Sequence, residues 1–340
     1  MNAALRELGS MVMLGIRGTK PGDPALEEDL AACAHAGVRM VILFDRDVFT
    51  GGERNVESPT QLRRLSAYVR ERLGEDATIA IDQEGGRVQR LSSVNGFRAW
   101  PSAHDFASMP DSEQLSQARD MAETLRDVGV TLNFAPCVDV NVNPMSPVIG
   151  ALDRSFSSDP EAVVRCAQHV LRAHADAGIG CVLKHFPGHG SATADSHHDL
   201  VDITETWNRD LELSPYRALM NHRVGVMTGH LMLTTLDQNR PASLSRAITT
   251  GLLRESLGFQ GPVFTDALDM EGVRARWSLE ESLLLGVHAG ADVLVHACNS
   301  ARREYAADVV RAMEGVAPEV PAIAERSALS RERMKTLRHT

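Results

Sequence analysis

The chain of 340 residues is 43% apolar but only 4% aromatic, so a large core must be built from Leu, Val, Ile, Ala and Met. Thirty-five Lys and Arg stand against 45 Asp and Glu, a formal net charge of −10, which argues against nucleic acid as the main partner because phosphate binding needs a basic surface. No apolar run reaches about 18 residues, and the opening MNAALRELGSMVMLGIRG lacks the layout of a secretion signal, so neither a membrane partner nor export is expected.

In chain order, short apolar runs alternate with amphipathic helical stretches. The runs are 11–18, 38–45, 78–86, 131–140, 180–186, 224–230, 262–270 and 291–297. They are rich in Val, Ile and Leu and lack polar alternation, as strands buried on both faces do. Helices are expected over 24–36, 58–73, 112–128, 159–177, 207–221, 247–256, 279–289 and 300–315. Ser58-Pro59 and Asp159-Pro160 set Pro near the first helical position after a capping residue, and Gly37, Gly129, Gly178 and Gly290 suit helix ends. Eight such units with no composition break predict an α/β fold, a single-domain (β/α)8 TIM barrel. The domain is expected to span 1–340, with the barrel over about 10–315 and a basic helical tail past 320. A doubly wound open sheet is the alternative, but no GxGxxG follows the first strand.

Cys33, Cys137, Cys166, Cys181 and Cys298 include no CxxC and are odd in number. They read as buried structural thiols of a reducing compartment, and the protein is expected to be cytoplasmic.

In a barrel of this kind, chemistry belongs at the C-terminal ends of the strands. Asp45, Asp82 with Glu84, Asp139, Lys184 with His185, His230, Asp266 and His296 fall there. The densest stretch is KHFPGHGSATADSHHDL, 184–200. Its PGHG forbids helix and supplies hinges, and a loop this long is expected to be functional or mobile. His185, His189, Asp195, His197 and His198 are metal-ligand types, but no HExxH and no second histidine cluster accompany them, so no metal is expected. Acid–base chemistry needs less: Asp195 lies two residues from His197, close enough to fix the imidazole tautomer and stabilise its cation. In VFTDALDMEG, Asp266 is either a carboxylate aimed into the barrel mouth or a helix N-cap. In AIDQEGGRVQRL, the alternating Asp82 and Glu84 with Arg87 and Arg90 suit either a salt-bridged turn or a grip on sugar hydroxyls.

AIDQEGGRVQR, KHFPGHGSATADSH and VFTDALDM occur in this order in family 3 glycoside hydrolases, and the chain resembles that family from about residue 10 to 315. It is most similar to the bacterial single-domain β-N-acetylglucosaminidases of peptidoglycan recycling. The resemblance implies that Asp266 is the nucleophile, His197 the acid/base and Asp195 its partner. It also implies that Asp82, Arg90, Arg154, Lys184 and His185 hold the non-reducing sugar. The expected reaction is removal of terminal β-linked N-acetylglucosamine from muropeptide fragments with retention, by a monomer without cofactor. Alternatives are another family 3 β-glycosidase, a phosphorylase, a metal-dependent barrel hydrolase and an inactive sugar-binding protein. Two features depart from the family pattern. IGALDRSF carries two extra residues before Arg154, which leaves its reach open. HDLVD follows DSH, so His198 is a second histidine beside the acid/base, expected to face solvent.

Overall fold

The parallel strands expected from the apolar runs form a ring. In the structure, a computed structural model describing residues 3–194, 200–220 and 223–337, they are β1 (Val12–Gly15), β2 (Met40–Leu43), β3 (Thr78–Ile81), β4 (Leu132–Asn133), β5 (Gly180–Phe186), β6 (Val224–Thr228), β7 (Val263–Thr265) and β8 (Leu294–His296). Each pairs in parallel with its chain neighbour from β1 through β7, and β8 pairs with β1. The remaining seam, β7 to β8, is closed by a parallel bridge between Phe264 and Val293 and by Thr265 N donating to Val293 O at 2.9 Å. The architecture is the expected (β/α)8 barrel.

The ladders are shorter than the apolar runs. β4 keeps only two residues, because the register shifts just past Asn133, where Phe134 N donates to Ile81 O and Ala135 O accepts from Val182 N. Pairing resumes once beyond it, between Cys137 and Lys184.

Helix ends follow local chemistry. Asp23 accepts from Ala25 N ahead of Pro24–Ala36, and Ser58 and Ser278 form capping boxes with Gln61 and Glu281. Gly37, Gly129, Gly178 and Gly290 all take positive φ, between 76° and 102°. The helix expected over 207–221 is instead two, Arg209–Glu212 and Ser214–Leu219, because Pro215 restarts the chain at the second. The last barrel helix begins at Ala306 rather than 300. An unexpected helix, Ala3–Gly9, packs with the tail helix Ile323–Lys335; Arg331 bonds Glu7 at 2.8 Å.

The barrel interior is filled by Met13, Met40, Ile42, Phe44, Phe134, Val182, Met227, Phe264 and Val295, with the Phe134 and Phe264 rings edge to face at 5.7 Å. All five cysteines are buried and unpaired. Among the described residues, no helix is long and apolar enough to cross a membrane.

Candidate active site

The filled interior stops short of the C-terminal strand ends, where a cleft of about 500 Å³ opens. Its floor is apolar, with Ile42, Phe134, Met227 and Val295, and its wall is charged, with Asp45, Asp82, Arg90, Arg154, Lys184, His185 and Asp266.

The wall is built on β3 and β5. Lys184 lies in the wholly buried run GCVLKHF, two residues before its end, and is 2% exposed. Two carboxylates two residues apart, Asp82 and Glu84, receive its ammonium at 2.7 Å each. Arg154 donates from Nε and Nη2 to the two oxygens of Glu84, at 2.9 and 2.8 Å. Such a fork is the strong form of an ion pair. Burial alone would push the Glu84 carboxyl up, but Arg154 and Lys184 outweigh it and hold it well below the usual carboxylate range. Asp82 is likewise held down, chiefly by Lys184 and then Arg90, against burial. Burial lowers Lys184, and Asp82 and Glu84 more than restore it, so the ammonium stays charged.

Arg90 is held more loosely. Its guanidinium lies 3.6 Å from Asp82, 3.8 Å from Asp45 and over the ring of Phe44. Gln83 positions it by accepting from both Arg90 N and Leu91 N. The tight turn between needs its glycines: Gly85 has φ 99°, and a Cβ there would meet Pro101 O at 2.2 Å.

A second ionic layer lies behind β5. Asp139 accepts from His185 Nδ1 at 2.8 Å, from His185 N and from His189 N. Burial opposes its charge, but His185 and then His189 bring its carboxyl to about 2. With Nδ1–H given to Asp139, the Nε2 lone pair of His185 faces Arg154 Nη2 at 3.3 Å. Both ring nitrogens are thus engaged. Cys137, Asp139 and His185 are the one group with converging metal-ligand atoms among the described residues, and all three are buried.

Asp266 follows β7 and is half-buried at the cleft. The next helix, Glu271–Arg274, is preceded by Met270, so Asp266 is not its N-cap. Its backbone is fixed instead: Asp266 N donates to Thr228 O and Ala267 N to Asp266 Oδ1. Asp269, three residues further, ties down the loop after β8 by accepting from Ala297 N and Asn299 N.

The structure therefore brings together Asp82, Arg90, Arg154, Lys184, His185 and Asp266. Asp195, His197 and His198 lie outside the described residues. The two residues inserted before Arg154 are absorbed by a turn at Gly150–Leu152 and by Asp153 in left-handed conformation, φ 54°, so Arg154 still reaches the site. The PGHG segment is a correction. Pro187 to Ala192 are all buried, and a Cβ at Gly190 would lie 1.6 Å from Val140 O. What these glycines serve in the structure is close packing. Sequence reasoning gave no role to the Arg154–Glu84 fork or to Asp139 under His185 and His189. The two-residue alternation of Asp82 and Glu84 was the available signal for the former.

The family model of the glycosyl hydrolase family 3 N-terminal domain matches residues 7–328. Beta-hexosaminidase LpqI of Mycobacterium tuberculosis is 42% identical over 226 residues, 63% of this chain and 57% of that protein, so the match spans little more than half of that relative's length. The beta-hexosaminidase of Aromatoleum aromaticum is 35% identical over 330 residues, 93% of this chain and 86% of that protein. The solved structure of a family 3 beta-N-acetylglucosaminidase from a Paenibacillus species superposes with a TM-score of 0.85 at 32% identity, over 99% of this chain and 62% of that one. Sequence motifs, barrel and strand-end charges agree with these matches, and the chain belongs to glycosyl hydrolase family 3.

Proposed function

We propose that the chain, as one catalytic unit, removes terminal β-linked N-acetylglucosamine with retention; the names of its relatives, beta-hexosaminidase and beta-N-acetylglucosaminidase, support the sugar and the linkage. The observation that carries this reading is the placement of Asp266: a carboxylate lining the same cleft as the ionic wall, with the N-cap position of the next helix taken by Met270.

Asp266 attacks the anomeric carbon from one face of the sugar and forms a covalent glycosyl-enzyme. His197, paired with Asp195, protonates the departing oxygen and then takes a proton from water as that water attacks the intermediate. Two groups on opposite sides of the bond, one nucleophile and one proton donor, are the minimum for retention. Asp82, Arg90, Arg154, Lys184 and His185 hold the sugar hydroxyls, so the ring is fixed before the barrier is climbed. The substrate class is muropeptide fragments in the cytoplasm, in which N-acetylglucosamine is joined to an anhydro-muramic residue, and the enzyme acts as a monomer. No metal takes part, consistent with His185 having both nitrogens engaged.

The test is hydrolysis of p-nitrophenyl β-N-acetylglucosaminide beside the β-glucoside, by the wild type and Asp266→Ala, with NMR of the first-formed anomer. Activity on the N-acetyl substrate, the β-anomer as first product and a loss of about 10³-fold or more in the variant are expected. Chelator should change nothing, and added phosphate should yield no sugar phosphate. Full activity of D266A would overturn the assignment.

A further inference from the structure

Beneath the buried segment Pro187–Ala192 lies a carboxyl group that the proposed reaction does not use. Glu212 ends the short helix Arg209–Glu212, yet it is 1% exposed. Its Oε1 accepts from Asn208 N at 3.3 Å. Its Oε2 lies against Gly188, where a Cβ would come within 2.7 Å of it, and Ser191 faces the carboxyl with its hydroxyl and its backbone N–H. Neither Oε2 nor the Ser191 hydroxyl completes a hydrogen bond of ordinary geometry, and no salt bridge joins Glu212 to a cation among the described residues.

The surroundings disfavour a charge here. The groups facing Glu212 are the anionic Asp139 behind β5, the buried phenol of Tyr216 from the next helix, and Ser191 with the Asn208 backbone. His189, on the same segment, is itself kept neutral by burial and by His185. Burial first, and then the Asp139 charge, push the Glu212 carboxyl up to about 7, against the opposing polarity of the Ser191 hydroxyl and N–H and the hydrogen bond from Asn208 N.

We infer that Glu212 is a positioning residue for the proton donor: in its neutral form it seats Pro187–Ala192, the segment that leads to His197, and its ionisation unseats that segment. The inference rests on the reading of His197 as donor. Other contacts pin the same segment from the side, with Trp207 Nε1 donating to Pro187 O at 3.1 Å and Asn143 to Gly190 O and Ala192 O. Glu212 is the contact among these whose charge changes near neutral pH. Asp139 links the two halves of the site. The carboxylate that repels a charged Glu212 is the one that holds His185 N and His189 N.

The experiment compares wild type, E212Q, E212A and H197A on two substrates from pH 6 to 8. One is p-nitrophenyl β-N-acetylglucosaminide, whose leaving group needs little protonation. The other is a β-linked disaccharide with terminal N-acetylglucosamine, whose leaving group needs a full proton. Glutamine mimics the neutral acid at every pH. Because His197 also serves as base in the second step, which both substrates share, the comparison is read in kcat/KM, which reports glycosylation alone; the ratio of E212Q to wild type on the disaccharide should rise from near one at pH 6 to about tenfold at pH 8, one unit above the Glu212 midpoint. On the nitrophenyl substrate the ratio should stay near one. E212A should lower disaccharide kcat at every pH while leaving KM little changed. If E212A fails to fold, the isosteric E212Q still decides the matter. A ratio flat with pH, or one rising equally on both substrates, overturns the inference. H197A distinguishes the two failures. If its kcat/KM falls alike on both substrates, the donor assignment falls and the inference with it. If it loses the disaccharide selectively while E212Q tracks wild type, the inference alone falls.

Discussion

Glu84→Gln removes one charge and almost no volume from the wall of the cleft. The Glu84, Arg154 and Lys184 side chains are 5%, 7% and 3% exposed, so solvent does little to screen the change. Removing one partner of a buried ion pair costs about 3–5 kcal/mol, because the remaining charge stays buried. Here the lower end applies, about 3 kcal/mol, since Lys184 keeps Asp82, and Arg154 keeps Val148 O and His185. In a chain of this size about 1 kcal/mol moves Tm by roughly 2 °C, so a fall of about 6 °C is expected at pH 7. The pH dependence identifies the cause. Glu84 titrates below its unfolded value, so its contribution is fully present above about pH 4.5 and is lost as pH falls through the folded value. Thermal melts of both proteins should therefore differ by a constant amount from pH 8 to 5 and converge in acid. Misplacing Arg154 and Lys184 should also lower kcat/KM by about 100-fold. A variant that melts within about 1 °C of wild type at pH 7, with unchanged kcat/KM, would refute the ionic wall as the element that organises the site.

Three further outcomes follow from the same geometry. Asp139→Asn turns an amide toward three N–H donors and should cost about 3 kcal/mol with a parallel loss of activity, read by melts and initial rates. Gly190→Ala drives a methyl into Val140 O and should destabilise by about 3 kcal/mol or more, whereas Gly315→Ala, in an open helical position, should stabilise by about 0.5 kcal/mol; paired denaturant titrations check both. Glu212 has a folded value above its unfolded one, so ionising it weakens the fold as pH rises from about 4.5 through about 7, and E212Q should gain stability over wild type across that window, by up to about 3 kcal/mol at pH 8 in melts.

The fold was legible where local chemistry decides it. Apolar runs, proline starts and glycine ends located all eight units, because strand burial and helix capping are properties of neighbouring residues. The charged lining of the cleft was legible as residues at strand ends but not as a set of partners. Arg154 meets Glu84 across 70 positions and His185 meets Asp139 across 46, and no spacing rule carries such pairings. The glycines of PGHG show the same limit. Their sequence is equally good for a hinge and for close packing, and the packing is visible only in the approach of Val140 O to Gly190. The N-terminal helix escaped notice because its role is to meet a helix more than 300 positions away, through Glu7 and Arg331.

Counting donors shows how the wall would divide its work. An ammonium has three N–H bonds and a guanidinium five. Lys184 spends two on Asp82 and Glu84. Arg154 spends two on Glu84, one on Val148 O and one on His185. Each therefore has one N–H left for a sugar hydroxyl. Glu84 spends both oxygens on cations, so it holds the wall and does not read the substrate. Asp82 and Arg90, joined only at 3.6 Å, keep the larger free capacity, one as acceptor and one as donor. A hydroxyl between them would accept from Arg90 and donate to Asp82, tightening both contacts as it binds. His185 Nε2 has a single lone pair, already facing Arg154, so it can receive a sugar O–H only by releasing that contact. Substrate recognition would accordingly rest on Asp82 and Arg90 first. Asp82→Asn should raise KM more than kcat falls, the reverse of the split expected for Asp266→Ala.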